Sequence, residues 1–275
     1  MNLPYPPEIP VILETTFTVA ANGEGSPTKL SDLINPYHAP MWVDEIRIAA
    51  TGYSSFFSLF TQTHTRILFG RHPITNEFVP TGVLAPRWPG DGHVVIRLQK
   101  PLYVMPQDLL VPTIRSEVSL TIRFSVVGRL AQALPADQKI WVPYITAFQG
   151  TAVTAGNTSS QESKRTDLAN PFRTPLYTRF FLGRRTAFAN NVVSGIANNE
   201  PPITVRMSNH LGRPIVRDPI PFFDIFNIRD QAWAINAMLP VNGYFVANVN
   251  VNATDAVETQ DFDIGMFGYR EEAIQ

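Results

Sequence analysis

Residues 31 to 41 read SDLINPYHAPM, and residues 166 to 176 read TDLANPFRTPL. Asp32, Leu33, Asn35, Pro36 and Pro40 return as Asp167, Leu168, Asn170, Pro171 and Pro175, while Ser31, Tyr37 and Met41 are replaced by the similar Thr166, Phe172 and Leu176. The two stretches stand almost half a chain apart. A pattern of this length, repeated at that spacing, requires a fold that can be built twice.

The repeat extends in both directions. Upstream, EIPVILETTFTV matches KIWVPYITAFQG, pairing Ile9 with Ile140, Val11 with Val142, Thr15 with Thr146 and Phe17 with Phe148. Downstream, Gly70-Arg71 and Pro73-Ile74 answer Gly212-Arg213 and Pro214-Ile215. Met105-Pro106-Gln107-Asp108 is aligned with Leu239-Pro240-Val241-Asn242, each before a strand, and both copies close on Val-Gly-Arg or Phe-Gly-Tyr-Arg. The order is the same in both halves. The expected organisation is therefore a first domain over 1–132, a linker at 133–137 inside LAQALPADQK, and a second domain over 138–275.

Alternating apolar residues identify what is repeated. VSLTIRFSVVG places Val118, Leu120, Ile122, Phe124 and Val126 on one face, and GHVVIRLQ does the same with Val94, Ile96 and Leu98. ITVRMS and FVANVNVN follow the pattern, and DFDIGM sets Phe262, Ile264 and Met266 inward with Asp261, Asp263 and Gly265 toward solvent. Period two is the signature of a half-buried strand. The 24 prolines and 16 glycines leave little room for helices beyond capped first turns at SDLI and TDLA. Short strands between turn residues, about eight per copy, predict an all-β fold of two tandem eight-stranded jelly-roll sandwiches. Immunoglobulin-like sandwiches are the alternative, but they are shorter and commonly carry a Cys-Trp-Cys core.

Twenty-two basic and 23 acidic side chains leave no large field to attract nucleic acid or anionic lipid. Charged residues are 16% of the chain, against roughly 25% in an average soluble domain. Low charge with 44% hydrophobic residues fits a surface that faces other protein, although a large core would also lower the charge. There is no cysteine, so disulfides, thiolate metal sites and cysteine nucleophiles drop out together. MNLPYPPEIPVILETTF has no basic leader region and is interrupted by proline, so it is read as no signal peptide. No apolar run reaches the roughly 18 residues of a spanning helix.

Catalytic patterns are weak throughout. The five histidines, His38, His64, His72, His93 and His210, form no His-x-His pair, and a metal needs three or four converging ligands. No Gly-x-Ser-x-Gly elbow appears. The acid pairs Asp44-Glu45, Asp261 with Asp263, and Glu271-Glu272 read as solvated strand faces. Gly23-Glu24-Gly25-Ser26 lacks the lysine of a phosphate loop. Lys164-Arg165 and Gly183-Arg184-Arg185 are the only dense basic sites, without interleaved aromatics. No catalytic residue, metal, cofactor or small-molecule substrate is expected.

The repeated Asn-Pro-aromatic reads as a structural corner: Asn before Pro favours an extended residue and a turn, the aromatic plugs the sandwich end, and the second Pro starts a strand. The eight residues assigned to it are Asp32, Asn35, Pro36, Pro40, Asp167, Asn170, Pro171 and Pro175. The copies differ in their loops. Those near Arg87, Trp88 and His93, and near Arg184, Arg185 and Phe188, are expected to be exposed tips or intersubunit contacts.

Two tandem jelly rolls in one short chain, sparsely charged and without a catalytic constellation, resemble the double jelly-roll major capsid proteins of icosahedral viruses, including tailless membrane-containing bacteriophages and the adenovirus hexon lineage. The resemblance implies a structural, non-enzymatic virion protein, made in the host cytoplasm. It implies a homotrimer whose six jelly rolls form a pseudo-hexagonal block in contact with neighbouring capsomers and other virion proteins. An internal membrane or the genome is a candidate further contact. Residues 1–8 would be an extended arm, since a proline-rich segment loses less entropy on docking. The competing reading is a virion spike or fibre, or a carbohydrate-binding tandem β-sandwich, with Trp42, Trp88, Trp141 and Trp233 as candidate sugar platforms.

Overall fold

A computed structural model describes residues 9–51, 58–60, 62–84, 93–130, 139–150, 158–185, 203–226, 232–252 and 262–273. The expected arm at 1–8 and linker at 133–137 lie outside these residues. Among the described residues no helix is long and apolar enough to cross a membrane.

The first half contains β1 (Pro10–Val19), β2 (Gly23–Gly25), β3 (Met41–Ala50), β4 (Thr63–Phe69), β5 (His72–Pro73), β6 (Val79–Pro80), β7 (His93–Val104), β8 (Leu110–Ser116) and β9 (Leu120–Leu130). The second contains β10 (Lys139–Gly150), β11 (Thr158–Glu162), β12 (Leu176–Arg185), β13 (Ile203–Asn209), β14 (Pro214–Pro221), β15 (Ala232–Leu239), β16 (Phe245–Asn252) and β17 (Phe262–Ala273). The start of SDLI lies in a single 3-10 turn, Leu30–Leu33, and TDLA forms a hydrogen-bonded turn without a helix.

Strand order reveals the duplication. In the first half the sheets run β1-β9-β3-β7 and β2-β8-β4-β5; in the second they run β10-β17-β12-β15 and β11-β16-β13-β14. Leaving β6 aside, both halves pair their first, eighth, third and sixth strands in one sheet and their second, seventh, fourth and fifth in the other. That is the jelly-roll path, traced twice, and the chain is all-β with antiparallel sheets.

Periodicity explains most of the core. β1 buries Val11, Leu13, Thr15, Phe17 and Val19 and exposes the residues between, and β4 alternates in the same way. β9 lies between β1 and β3 and β17 between β10 and β12, so each is a central strand. β17 departs from alternation, with every side chain from Phe262 to Arg270 buried. Asp263 therefore faces protein, although its place in the sequence pattern reads as solvent-facing. A central strand covered on both faces has no solvent side to mark.

Local irregularities recur too. The register of β3 shifts between Val43 and Glu45, and that of β12 shifts between Thr178 and Phe180, the corresponding place in the second copy. Gly128 of β9 sits so close to β3 that a Cβ there would run into the Trp42 carbonyl; on Gly268 of β17 it would stand 2.8 Å from the Tyr177 carbonyl oxygen. Both glycines let a bulged strand approach its neighbour's backbone.

The chain forms two compact units, and each draws on both halves. The first comprises Met1–Phe78, Pro89–Tyr144 and Arg270–Gln275; the second comprises Val79–Trp88 and Ile145–Tyr269.

Candidate functional site

Asn35 is fully buried in the first unit. Its Nδ2 donates to the Ala39 carbonyl at 3.0 Å and the Val104 carbonyl at 3.3 Å, and its Oδ1 accepts from the Tyr37 N–H at 3.1 Å. Its backbone N–H donates to the Asp108 carbonyl at 3.2 Å, and its own carbonyl accepts from the Gln107 N–H at 3.3 Å. One residue thus ties the start of β3 to the turn joining β7 and β8.

In the second unit Asn170 is equally buried. Its Nδ2 donates to the carbonyls of Thr174 at 2.9 Å, Leu239 at 3.2 Å and Pro240 at 3.0 Å, while the Phe172 N–H donates to its Oδ1 at 3.0 Å. Its own N–H donates to the Gly243 carbonyl at 2.8 Å. The isolated bridges Ile34 to Leu109 and Ala169 to Tyr244 occupy matching places. Gln107 and Asn242 both have positive φ, 70° and 59°. The turn Met105 to Asp108 therefore corresponds to Pro240 to Gly243, one residue later than the sequence alignment of the prolines suggests.

The other corner residues have distinct surroundings. Asp32 Oδ2 accepts from the Thr15 hydroxyl at 3.4 Å, while the Asp167 carbonyl accepts from the Thr146 hydroxyl at 2.6 Å and its Oδ2 from the Lys164 N–H at 2.7 Å. Pro36, Pro171 and Pro175 are exposed and Pro40 half-buried. Tyr37 is 40% exposed and does not plug the sandwich, whereas the neighbouring Leu33 and its counterpart Leu168 are buried.

The expected loop sites divide differently. Arg87, Trp88 and Phe188 lie outside the described residues, as does the side chain of Arg185. His93 opens β7 and is half-buried. Arg184 is not at an exposed tip: it lies in β12 with its side chain 5% exposed, its Nε 3.9 Å from Oδ2 of the buried Asp263. A Cβ on Gly82, in the Thr81–Leu84 turn, would run into its guanidinium. Burial lowers the Arg184 pKa, and the Asp263 carboxylate opposes that shift. Sequence reasoning misses the pair because its members lie on strands far apart in the chain.

A second buried arginine lies in the first unit. Arg270 donates to Glu272 at 2.5 Å and to the Pro73 carbonyl at 3.1 Å, and Glu272 meets His72 Nδ1 at 2.8 Å. Burial lowers the Arg270 pKa, opposed mainly by Glu272. The end of β17 is thus gripped by β5. Among the described residues no three His, Asp or Glu side chains converge as metal ligands.

No family model matches this sequence, and no curated protein matches it. Solved structures do. The STIV MCP aligns over 96% of this chain and 97% of its own, with a TM-score of 0.50 and 12% identity. A chain from the atomic structure of Sulfolobus Turreted Icosahedral Virus aligns over 96% and 90%, with a TM-score of 0.54 and 12% identity. The chain has the double jelly-roll fold of viral major capsid proteins. In this double jelly roll each buried asparagine is bonded to the turn between the sixth and seventh strands of its own copy. The buried arginines are not duplicated in the same way. Counted from the matched bulges and glycines, Arg184 falls at Ala49 of β3 and Arg270 at Leu130 of β9.

Proposed function

We propose that this chain is a capsid subunit, a structural virion protein without enzymatic activity, that assembles as pseudo-hexagonal homotrimers tiling an icosahedral shell beside other virion proteins. The observation that carries this reading is the duplicated jelly roll: two copies with one strand order, aligned end to end with the STIV MCP. Three such chains would present six similar domains, and closed symmetry limits the block. The carbohydrate-binding reading has less support, because Trp42 stacks edge-on against Tyr103 at 4.7 Å, Trp141 lies under Lys100 at 3.1 Å and Trp233 packs on Phe181 at 5.9 Å. Those three rings are engaged within the protein.

Sedimentation and negative-stain microscopy of the purified chain test the proposal. A trimer with a triangular or hexagonal outline is expected. A chain that stays monomeric at about ten micromolar and above, far beyond the concentration at which a stable interface would assemble, would overturn it.

A further inference from the structure

One end of the second unit gathers three chain segments. Residues 163–174 form the corner around Asn170, 209–213 join β13 to β14, and 240–243 join β15 to β16. Backbone contacts hold them side by side: the Asn170 N–H donates to the Gly243 carbonyl at 2.8 Å, Ala169 bridges Tyr244, and Asn209 pairs with Phe245. The Tyr244 ring meets His210 at 6.2 Å from one segment and the Arg165 guanidinium at 5.6 Å from another.

The side chains at this end depart from the rest of the surface in two ways. Lys164, Arg165, Arg173 and Arg213 are all exposed, and none forms an ion pair among the described residues. On the sheet faces, by contrast, Arg47, Arg97, Arg115 and Arg123 each meet a glutamate. Asp167 is the one carboxylate in the three segments, and its Oδ2 accepts from the Lys164 N–H at 2.7 Å. Among these cations stand two aliphatic side chains, Leu211 at 66% and Val241 at 45% exposure, on turns where small polar residues are the rule. The corresponding segments of the first copy balance Lys29 and Arg71 with Asp32 and Asp108. A formal charge of -1 on the whole chain thus conceals a local excess of positive charge.

We propose that this end of the second unit docks on a lipid bilayer that carries anionic headgroups. The unpaired cations attract lipid phosphates and carboxylates, and Leu211 and Val241 leave water by entering the boundary between headgroups and acyl chains. Nucleic acid fits less well. It would attract the cations, but an exposed leucine and valine gain nothing from a phosphate backbone, and the Tyr244 ring is already engaged by Arg165 and His210 instead of lying open for base stacking. The inference deepens the capsid-subunit reading and rests on it for its setting, a membrane enclosed by the shell.

Flotation of the intact chain with vesicles tests the proposal, using phosphatidylcholine alone and phosphatidylcholine with about 30% phosphatidylserine. Binding is expected on the anionic vesicles only, and should fall as salt rises from about 0.05 to 0.5 M. Arg165→Gln with Arg213→Gln should weaken it about tenfold or more, since each cation near an anionic surface contributes roughly a fivefold factor. Leu211→Ser with Val241→Ser should also weaken it while leaving the salt dependence in place. Because the chain has no cysteine, a polarity-sensitive dye on Leu211→Cys reports insertion directly. Its emission should shift to the blue on anionic vesicles, and the same dye on Ala234→Cys, exposed on β15, should not shift.

Equal binding to both kinds of vesicle, an unchanged affinity after both arginines are replaced, or an unshifted dye at position 211 would each sink the proposal. Tighter binding to a DNA duplex than to anionic vesicles would do the same and reassign the surface to nucleic acid. A chain that trimerises but ignores vesicles loses the lipid contact and keeps the capsid reading. One that binds anionic vesicles yet stays monomeric keeps the surface and loses that setting.

Discussion

The Asn170 amide reaches the Leu239 carbonyl 69 residues further along the chain, the same span over which Asn35 reaches Val104. Each amide is buried and gives its donors to backbone carbonyls at the mouth of a turn. Asn35→Ala or Asn170→Ala should each cost about 2–3 kcal/mol, because buried carbonyls lose a donor and water cannot replace it. Asn→Asp should cost at least as much, since a carboxylate offers no N–H. Thermal melts of the four variants check this, with Asn170→Ala the more damaging because three carbonyls depend on its Nδ2.

Gly128→Ala should be more destabilising than Gly268→Ala. The added methyl meets the Trp42 carbonyl well inside contact distance at Gly128 but stands 2.8 Å from the Tyr177 carbonyl at Gly268. We expect a loss of about 3 kcal/mol or more at the first and roughly half that at the second, read from denaturant midpoints.

Asp263→Asn removes the carboxylate facing Arg184 and should cost about 3–5 kcal/mol, as breaking one side of a buried pair does. Combining it with Arg184→Met should recover much of that loss, since apolar residues of similar volume often replace such a pair at little cost. A double-mutant cycle by thermal melting measures the coupling. Gly82→Val should mimic the single lesion, because its side chain displaces the guanidinium.

Tyr103 supplies a pH prediction. Desolvation raises its pKa above 10.0, and its hydroxyl has no hydrogen-bond partner among the described residues. The unfolded phenol therefore ionises first: this contribution to stability is complete below the unfolded value and is lost as pH rises through the folded one. Tyr103→Phe should flatten the alkaline fall in melting temperature and leave the value at neutral pH unchanged or slightly raised.

The legible parts of the fold are those where one strand face meets water. β9, β7 and β16 expose one side, and their alternation locates Leu120, Val94 and Phe245 inward. The illegible parts share a cause, which is that charge in a strand reads as exposure. Arg184 and Asp263 look like surface residues because no opposite charge stands close to either in the sequence, and their pairing depends on two strands brought together by the fold. The turn alignment slips at Pro106 and Pro240 because proline is conspicuous in sequence, whereas the positive φ that aligns Gln107 with Asn242 belongs to the backbone. The exposure of Met238 and the burial of Tyr103 at matching places in the two copies have no signal in the strand pattern, which puts both on the outward face.

A half-chain should fail to fold as the whole does. Residues 139–275 alone lack the Thr81–Leu84 turn, which belongs to the second unit. We expect a broad, low-temperature melt from that fragment, and a sharper one when 79–88 is fused to it through a flexible linker. Calorimetry distinguishes the two.

The grip of Arg270 and Glu272 on Pro73 and His72 also sets a timetable. During synthesis Pro73 is added 197 residues before Arg270, so the first unit waits until β17 has been made. A chain cut short by a premature stop carries an unfinished first unit even though most of its strands are present. Translation length becomes a proofreading step, and only chains read through to β17 carry a completed first unit.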